Sequence, residues 1–286
     1  MNSHKDHEHW DLIIKPRAGL FDLGLKEIWR YRDLLRLFVK RDFVAQYKQT
    51  ILGPLWNIIQ PIFTTIMFLL VFGKIANIPT DGIKPTLFYM AGITIWNYFS
   101  TCFTTTSTTF VTNASIFGKV YFPRLVLPLS VVISNIVRFF IQFGLLLLMM
   151  VYYQFNGYPI HIGVEWLLIP VLVVLMGGIG LGSGIIISSL TTKYRDFTIL
   201  VSFGVQLMMY ATPIAYPLSY LMGKSYKWII LINPLTPVVE AFRYALFGKG
   251  HFEWSTLIYS VLFMIGSLIV GSVIFTKTER SFMDTV

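Results

Sequence analysis

The stretch RDFVAQYKQTILGPLWNIIQPIFTTIMFLLVFGK, from Arg41 to Lys74, changes character at Gly53-Pro54. It is basic and polar before this dipeptide and mostly apolar after it. Proline can begin a helix because the N–H that it lacks would have no partner there. Trp56 follows two residues later, and an indole ring is favoured at the membrane–water boundary. The stretch therefore predicts a surface segment that turns into a membrane-spanning helix.

The segment before this turn, residues 22–49, has the pattern of an amphipathic helix. Apolar side chains recur on one face at the 3.6-residue spacing: Leu25, Ile28, Trp29, Leu35, Phe38, Val39, Phe43 and Tyr47. Lys and Arg fall largely on the other face. This arrangement is typical of a helix that lies in the headgroup plane beside a span. Two interpretations stay open: a membrane anchor, or a lever that a cytoplasmic partner contacts.

The composition of the chain places most of it in lipid. Of 286 residues, 55% are hydrophobic and only 13% are charged. A soluble domain carries about 25% charged residues. Too little polar surface remains to cover a globule of this length, so we expect an integral membrane protein. The single cysteine, Cys102, excludes an intramolecular disulfide.

Six segments have the length and composition of membrane spans, for which about 20 mostly apolar residues are needed. They are residues 55–73, 86–111, 126–153, 164–190, 197–216 and 256–275. Ten Lys and Arg precede the first segment, and two lie in each of the loops 113–125 and 191–196 and in the C-terminal tail, whereas six lie on the opposite side. The positive-inside rule therefore predicts cytoplasmic termini. This topology accounts for the net charge of +9, so no nucleic-acid partner is expected.

The second predicted span carries a stripe of hydroxyl groups. Ser100, Thr104 and Thr108 follow one another at i, i+4 spacing. In one interpretation, each hydroxyl bonds to the carbonyl one turn earlier or to a neighbouring helix. In the other, the stripe is the wall of a pathway and offers hydrogen bonds to a polyhydroxylated substrate.

The third predicted span contains a charged residue, Arg138, with Ser134 and Gln142 one turn away on either side. An arginine at the centre of a span costs about 2.5–3.5 kcal/mol on insertion scales, so it should face protein or water. Arg138 is therefore a candidate pathway residue. The alternative is a structural ion pair with Glu165 or Glu240.

The fourth predicted span contains two small-xxx-small pairs, Gly178 with Gly182 and Gly180 with Gly184. Such pairs allow two helix backbones to approach closely, so this span is expected to pack tightly against its neighbours.

The segment 217–250 is apolar in pieces but is interrupted by Pro217, Pro234 and Pro237. Its apolar pieces are too short to span, and the charge rule places it outside. We expect interfacial or re-entrant helices over the mouth of a pathway, with an ordinary surface hairpin as the alternative.

The chain lacks the motifs of an ATPase or a hydrolase. No G-x-x-x-x-G-K-[ST] motif occurs, and Gly223-Lys224-Ser225 lacks the first glycine of that motif because residue 218 is Leu. There is no H-E-x-x-H or G-x-S-x-G sequence, so neither a catalytic nor a metal site is predicted. Few acidic residues lie near the spans, which disfavours proton coupling. These features predict a transport protein whose energy comes from another subunit.

Several segments taken together resemble a known family, the transmembrane permease subunits of ABC-type polysaccharide exporters, which move O-antigen or teichoic-acid polymers out of bacteria. Besides the amphipathic lead-in, the segments are LGPLWNIIQPIFTTIMFLLVFGK (Leu52–Lys74), ASIFGKVYFPRLVLPLS (Ala114–Ser130), TTKYRDF (Thr191–Phe197), NPLTPVVEAFRYALFG (Asn233–Gly248) and ERSFMDTV (Glu279–Val286). The resemblance covers roughly residues 20–286.

This resemblance implies an all-α integral membrane protein with six transmembrane helices. A flexible tail (1–20) and a cytoplasmic amphipathic interface helix (21–50) would precede the permease domain (51–286), with short outer gate helices at about 217–250. Two copies would form a channel in the bacterial cytoplasmic membrane for a lipid-linked glycan. Two separate ATPase subunits would hold ATP and Mg²⁺, so no cofactor is expected in this chain.

The resemblance also implies roles for individual residues. Coupling to the ATPase is expected at Gly118, Lys119, Tyr121, Pro123, Arg124, Tyr194, Arg195 and Asp196. The outer gate is expected to include Pro217, Asn233, Pro234, Pro237, Glu240 and Arg243. Aromatic rings stack on sugar rings, and those expected to line the conduit are Trp56, Trp96, Tyr98, Phe99 and Phe103. The hydroxyl stripe and Arg138 complete this predicted lining.

Three other functions remain open. The same permease class includes drug and lipid exporters, which would keep the architecture and change the cargo. An integral-membrane acyltransferase or glycosyltransferase would need an acid or a histidine at an outer groove; the candidates are Asp81, His161, Glu165, Glu240, His251 and Glu253. A secondary transporter is disfavoured because midplane acids and paired broken spans are missing.

Overall fold

The structure is a computed structural model, and it describes residues 25–48, 50–113, 116, 122–160, 162–194, 196–225 and 227–283. Within these ranges all regular secondary structure is helical, as predicted. The α-helices are α1 (Leu25–Arg30), α2 (Arg32–Tyr47), α3 (Trp56–Phe68), α4 (Pro85–Ser107), α5 (Thr109–Thr112), α6 (Val126–Phe155), α7 (Leu168–Lys193), α8 (Phe197–Tyr210), α9 (Leu218–Leu221), α10 (Lys227–Ile232), α11 (Thr236–Phe247) and α12 (Trp254–Met283). A π-helical turn, Leu69–Ile75, extends α3.

Four helical stretches are long and apolar enough to cross a bilayer. They are Gly53–Ile75, Val126–Phe155, Val164–Lys193 and Trp254–Thr278, and they match four of the six predicted spans. The predicted span 86–111 lies on α4 and α5, which are rich in hydroxyl groups. The predicted span 197–216 lies on α8, which has only 14 residues. At about 1.5 Å per residue, α8 is about 21 Å long, shorter than the roughly 30 Å hydrocarbon core.

The turn from surface to span lies where the sequence predicts it. The predicted helix 22–49 is interrupted at Tyr31 and ends at Tyr47. Gly53 has φ +44°, a left-handed conformation that glycine adopts readily because it has no Cβ. Pro54 then opens a short 3-10 turn, and α3 begins at Trp56, whose side chain is 55% exposed.

Helix α2 lies against the first half of α6. Its apolar face is only partly covered: Leu35 and Phe38 are half-buried, whereas Trp29 remains 72% exposed. An exposed indole on an amphipathic helix suits the headgroup region of a membrane. The contacts of α2 therefore leave it one face for the protein and one for lipid.

Helix α4 is the central column of the bundle. It packs against α3, α6, α7 and α11, and its residues from Leu87 to Trp96 are buried on all sides. A helix enclosed in this way does not need a lipid-facing surface. Its enclosure explains how α4 can carry more polar residues than the four apolar stretches.

The glycines of α7 bring it close to both α4 and α12, as the small-xxx-small pattern predicts. A Cβ added at Gly182 would lie 2.4 Å from Ser267 Oγ and 2.9 Å from the backbone N of Leu268. A Cβ added at Gly184 would lie 3.0 Å from the carbonyl oxygen of Phe103. Only glycine fits at these positions without moving a neighbouring helix.

Candidate functional site

A polar recess lies between the start of α3 and the middle of α4 and α6. It has a volume of about 160 Å³ and is lined by Asn57, Gln60, Asn97, Tyr98, Ser100, Thr101, Asn135, Arg138, Phe139 and Gln142. Polar groups at the depth of spanning helices are rare and mark functional sites. We call this group of ten residues the polar recess; it contains Arg138, Ser100 and Tyr98 from the predicted lining.

Hydrogen bonds tie the helices around the polar recess together. Asn97 Nδ2 donates to Gln142 Oε1 at 3.1 Å, which joins α4 to α6. Asn57 Nδ2 donates to the Tyr47 hydroxyl at 2.7 Å, which joins the start of α3 to the end of α2. Arg138 lies near the same hydroxyl. The interface helix therefore reaches the polar recess through Tyr47.

The sequence analysis offered Glu165 and Glu240 as ion-pair partners of Arg138, and for Glu240 this is wrong. Glu240 forms its ion pair with Arg243, at 3.3 Å. Neither glutamate lines the polar recess, and the groups that interact with Arg138 include the Tyr47 hydroxyl and the Asp42 carboxylate.

The hydroxyl stripe satisfies itself along its own helix. Thr101 Oγ1 donates to the Asn97 carbonyl at 2.7 Å, and Thr104 Oγ1 donates to the Ser100 carbonyl at 2.7 Å. Thr108 Oγ1 does the same to Thr104, at 3.3 Å. This geometry agrees with the interpretation in which each hydroxyl bonds to the carbonyl one turn earlier. The place of Thr104 and Thr108 in a pathway stays a prediction.

Four of the five aromatic residues expected in the conduit lie in the core of the chain. Their exposed fractions are 3% for Trp96, 4% for Tyr98, 2% for Phe99 and 8% for Phe103. Phe99 and Phe103 stack with ring centroids 5.8 Å apart. Only Tyr98 reaches the polar recess, and Trp56 is exposed. Their role as a lining stays a prediction.

Three other aromatic rings are exposed on helices of the bundle. Phe63 on α3, Phe140 on α6 and Phe203 on α8 are 58–65% exposed. The sequence analysis passed over them because an exposed aromatic residue in a span looks the same as a lipid-facing one. It also missed Tyr47, Asn57, Gln60 and Asn97 as members of the site. Amides at i, i+3 spacing in an apolar span, as in the pair Asn57 and Gln60, are the signal that could have identified it.

The segment 217–250, predicted to lie outside, contains a helix, α11, that is buried along its length. Only Pro237 and Tyr244 within it are half-buried. An ordinary surface hairpin would leave one face of this helix exposed. Pro217 lies at the cap before α9, and Pro237 lies in the first turn of α11, where proline is tolerated. Pro234 lies between α10 and α11.

Arg243 joins this buried helix to the end of α8. It is 1% exposed, and it donates from Nη1 to the Pro213 carbonyl at 2.5 Å and from Nη2 to the Ile214 carbonyl at 2.7 Å. Its guanidinium also lies 3.6 Å from the centroid of the Phe88 ring on α4. Gly92 leaves space for it, since a Cβ there would lie 2.7 Å from Nη2.

Two more predicted gate residues hold the same stretch of irregular backbone. Asn233 Nδ2 donates to the Ala211 carbonyl at 3.1 Å and to Thr212 Oγ1 at 2.8 Å. Glu240 Oε1 accepts from the Leu218 N–H at 3.1 Å. Irregular backbone at membrane depth is tolerated only where protein groups satisfy it. The chain can therefore leave α8 early because Asn233, Glu240 and Arg243 provide those groups.

The structure describes part of the predicted coupling set. Pro123 and Arg124 are buried beside the start of α6, and Arg124 has interaction partners. Tyr194 and Asp196 are exposed between α7 and α8. The other four predicted coupling residues lie outside the described residues: Gly118, Lys119, Tyr121 and Arg195.

A second core cluster ties the interface helix to this end of the bundle. Phe38 of α2 lies 5.6 Å from Phe122, ring centroid to centroid. Phe110 of α5 stacks on Phe275 of α12 at 4.4 Å. These residues belong to one buried cluster, which also includes Ile185 of α7. This cluster therefore joins α2 to α5, α7 and α12 through packed side chains.

Three of the residues weighed for an enzyme interact with other side chains. His251 Nε2 lies 3.7 Å from Glu253 Oε1, and Ser219 Oγ donates to Asp81 at 2.7 Å. His161 lies outside the described residues. In the part of the chain that the structure describes, no three His, Cys, Asp or Glu residues are grouped to hold a metal ion.

Comparison with known proteins gives matches along most of the chain. The profile of the ABC-2 type transporter family matches residues 33–247. An O-antigen export system permease protein RfbA of Klebsiella pneumoniae is 30% identical over 88% of this chain and 94% of its own length. A protein of the same name from Myxococcus xanthus is 26% identical over 92% and 98%. The polysialic acid transport protein KpsM of Escherichia coli is 23% identical over 86% and 93%.

Proposed function

The chain belongs to the ABC-2 type transporter family, and on this premise we propose that it forms half of the channel of an ATP-driven exporter for a lipid-linked polysaccharide. The protein is a permease of an ABC exporter for polysaccharide and a multi-pass membrane protein. The observation that carries this conclusion is its match, over nearly their whole length, to relatives that export O-antigen. An O-antigen-like or teichoic-acid-like polymer is the proposed cargo.

Six spans with both termini in the cytoplasm are the proposed topology. Helix α4 has 23 residues, about 35 Å, so it is long enough to cross as the second span. Helix α8 is short, and the fifth crossing is completed by the backbone that Arg243 and Asn233 hold. The excess of Lys and Arg before residue 49 supports cytoplasmic termini.

A second copy of the chain and two ATPase subunits complete the proposed transporter. The polar recess opens on one side of the chain, so a facing copy would turn it into part of an enclosed conduit. ATP and Mg²⁺ would bind to the partner subunits, because the sequence contains no phosphate-binding motif of the P-loop kind.

The proposed conformational change begins at the cytoplasmic loops. A push on the loop before Phe122 would move α2 through Phe38. Tyr47, at the end of α2, would then move relative to Asn57 and Arg138. The same series of contacts would therefore link ATPase binding at the cytoplasmic end to opening of the pathway. The aromatic rings of the predicted lining would give the polymer weak contacts along which it slides.

Surface polysaccharide in cells that lack the chain tests the cargo. We expect the polymer to accumulate inside the cell and to return to the surface when the chain is restored. A drug or lipid exporter, the alternative cargo, would leave surface polysaccharide unchanged and alter drug or lipid efflux.

A membrane acyltransferase or glycosyltransferase, the alternative function, predicts a different accumulation. The polymer would still reach the surface, but in an unmodified form. Alanine substitutions of Glu165, His251 and Glu253 should leave both the amount and the composition of the polymer unchanged if the chain is a permease.

A further inference from the structure

The polar recess contains a donor and acceptor set that suits a sugar. Five of its residues are carboxamides, and two carry aliphatic hydroxyls: Asn57, Gln60, Asn97, Asn135, Gln142, Ser100 and Thr101. A carboxamide both donates and accepts hydrogen bonds, as a sugar hydroxyl does. A site for a bare anion would instead contain mainly donors. The composition of the polar recess therefore favours a polyhydroxylated ligand.

Part of the hydrogen-bonding capacity of the polar recess is not used within the chain. Asn97 Nδ2 and Gln142 Oε1 bond to each other, which leaves the second half of each amide to other partners. In the part of the chain that the structure describes, the side chains of Gln60 and Ser100 make no hydrogen bond. Gln60 is exposed, and Ser100 is half-buried. These groups can bind a ligand without breaking a contact that holds the helices.

The polar recess also carries one positive charge. None of the described residues that line it is acidic. Arg138 interacts with the Tyr47 hydroxyl, and Asp42 attracts it from the side of α2. Asp42 is itself bonded by Arg41, at 2.7 and 2.9 Å. The polar recess therefore presents a cation beside a row of amides.

The volume limits what can bind there. Pockets for drug-sized ligands measure about 300–1,000 Å³, whereas the polar recess measures about 160 Å³. One sugar unit is therefore a better match than an oligosaccharide. The rings of Tyr98 and Phe139, whose centroids lie 5.5 Å apart, form the apolar part of the lining.

We propose that the polar recess is a binding subsite for one sugar unit that carries an acidic group, a carboxylate or a phosphate. The amides bind the sugar hydroxyls, and Arg138 forms an ion pair with the acid. The exported polysaccharide is therefore anionic. This inference rests on the proposed function, since it names the class of the polymer.

Binding to the purified chain in lipid nanodiscs tests the subsite directly. The probes are a fluorescent hexuronic-acid tetrasaccharide and the same tetrasaccharide after carboxyl reduction, which differ only in charge. We expect the acidic probe to bind about 10-fold more tightly, because a hydrogen bond to a charged group contributes more than one between neutral groups. Equal binding of the two probes would overturn the proposal.

Variants show whether the preference comes from the polar recess. Arg138→Gln should reduce the preference to about one while it retains weak binding of the reduced probe. Gln60→Ala should weaken both probes equally, because it removes an amide and no charge. Lys74→Gln, which removes one exposed cation elsewhere, should keep the preference. If Arg138→Gln retained the preference in a folded, monodisperse sample, the acid would bind elsewhere and the proposal would be wrong.

A change of lipid in the nanodiscs distinguishes a glycan ligand from a phospholipid headgroup, which is also anionic. The experiment is repeated in nanodiscs of phosphatidylcholine alone and with phosphatidylglycerol added. We expect the preference to be the same in both. Its loss with phosphatidylglycerol would show that a lipid headgroup occupies the polar recess and would refute a glycan subsite.

The composition of the exported polymer keeps this inference apart from the proposed function. If the chain is needed for surface polysaccharide but that polymer is neutral, the exporter assignment stands and the anionic subsite fails. If loss of the chain leaves surface polysaccharide unchanged, the proposed function fails first.

Discussion

Arg243 shows how a single residue can make an unusual membrane segment possible. It bonds to the carbonyls of Pro213 and Ile214 and pairs with Glu240, all in the interior. The sequence analysis counted Arg243 among the outer charges, because a count of Lys and Arg treats every arginine alike. Its partners are carbonyls thirty residues away, and no spacing pattern reveals such contacts. Arg138 was recognised because it stands alone in an apolar span.

Replacement of Arg243 by glutamine should destabilise the protein strongly. Glu240 would stay buried without its cation, and breaking a buried ion pair costs about 3–5 kcal/mol. We expect a lower melting temperature in scanning fluorimetry of the purified protein. Lys227→Gln, which removes an exposed cation from the same outer segment, is the control. Equal melting temperatures for the two variants would show that Arg243 does not stabilise this segment.

Close helix packing is the part of the fold that the sequence predicts best at the scale of elements. The glycine pairs of α7 were recognised from their spacing alone, and the structure places Gly182 against Ser267 and Leu268. The turn at Gly53-Pro54 was also placed correctly. The predicted span 197–216 extends beyond α8, which ends at Tyr210, because the next residues remain largely apolar and resemble a continued helix.

Substitution of Gly182 by alanine tests the packing of α7 on α12. The new Cβ would lie 2.9 Å from a backbone nitrogen, so the helices must separate, and overpacking costs about 1–3 kcal/mol. The matched control is Gly204→Ala on α8, where a Cβ meets nothing within 4 Å. A lower melting temperature for the first variant alone is expected; equal effects would mean that α7 tolerates a wider separation.

The contact of α2 with the second core cluster, which includes Phe122, can be tested in the same way. Phe38→Ala removes a half-buried ring that packs on Phe122. The lost burial should lower the free energy of unfolding by about 1 kcal/mol or more. We expect export to fall while the purified ATPase still binds, because the contact transmits movement. Leu37→Ala, a neighbouring change at a 62% exposed side chain, should leave export intact. Loss of export in both variants would argue for a membrane anchor.

At the scale of the whole molecule, the sequence predicted the class of protein but not the arrangement of its site. Composition predicted a membrane protein, and the resemblance of several segments implied a polysaccharide export permease; the family match and the relatives agree. The polar recess joins residues of three helices, with up to 85 positions between Asn57 and Gln142. Which faces of these helices meet is decided by packing, so the sequence could not bring Asn57, Asn97 and Arg138 together.

Topology is tested by labelling single cysteines in intact cells. The native Cys102 is buried, so it gives a low background. Lys227→Cys, in the outer segment, should react with a membrane-impermeant maleimide in intact cells. Lys193→Cys, at the end of α7, should react only after the membrane is opened. The reverse pattern would invert the proposed orientation.

The central claim is that a separate ATPase drives polysaccharide through this chain. The most direct measurement is ATP-dependent uptake of a labelled lipid-linked polysaccharide into inverted membrane vesicles that contain the chain and its ATPase. The account predicts uptake with the intact ATPase and none with a variant ATPase that binds but does not hydrolyse ATP. Equal uptake with both, or uptake by the chain alone, would contradict it.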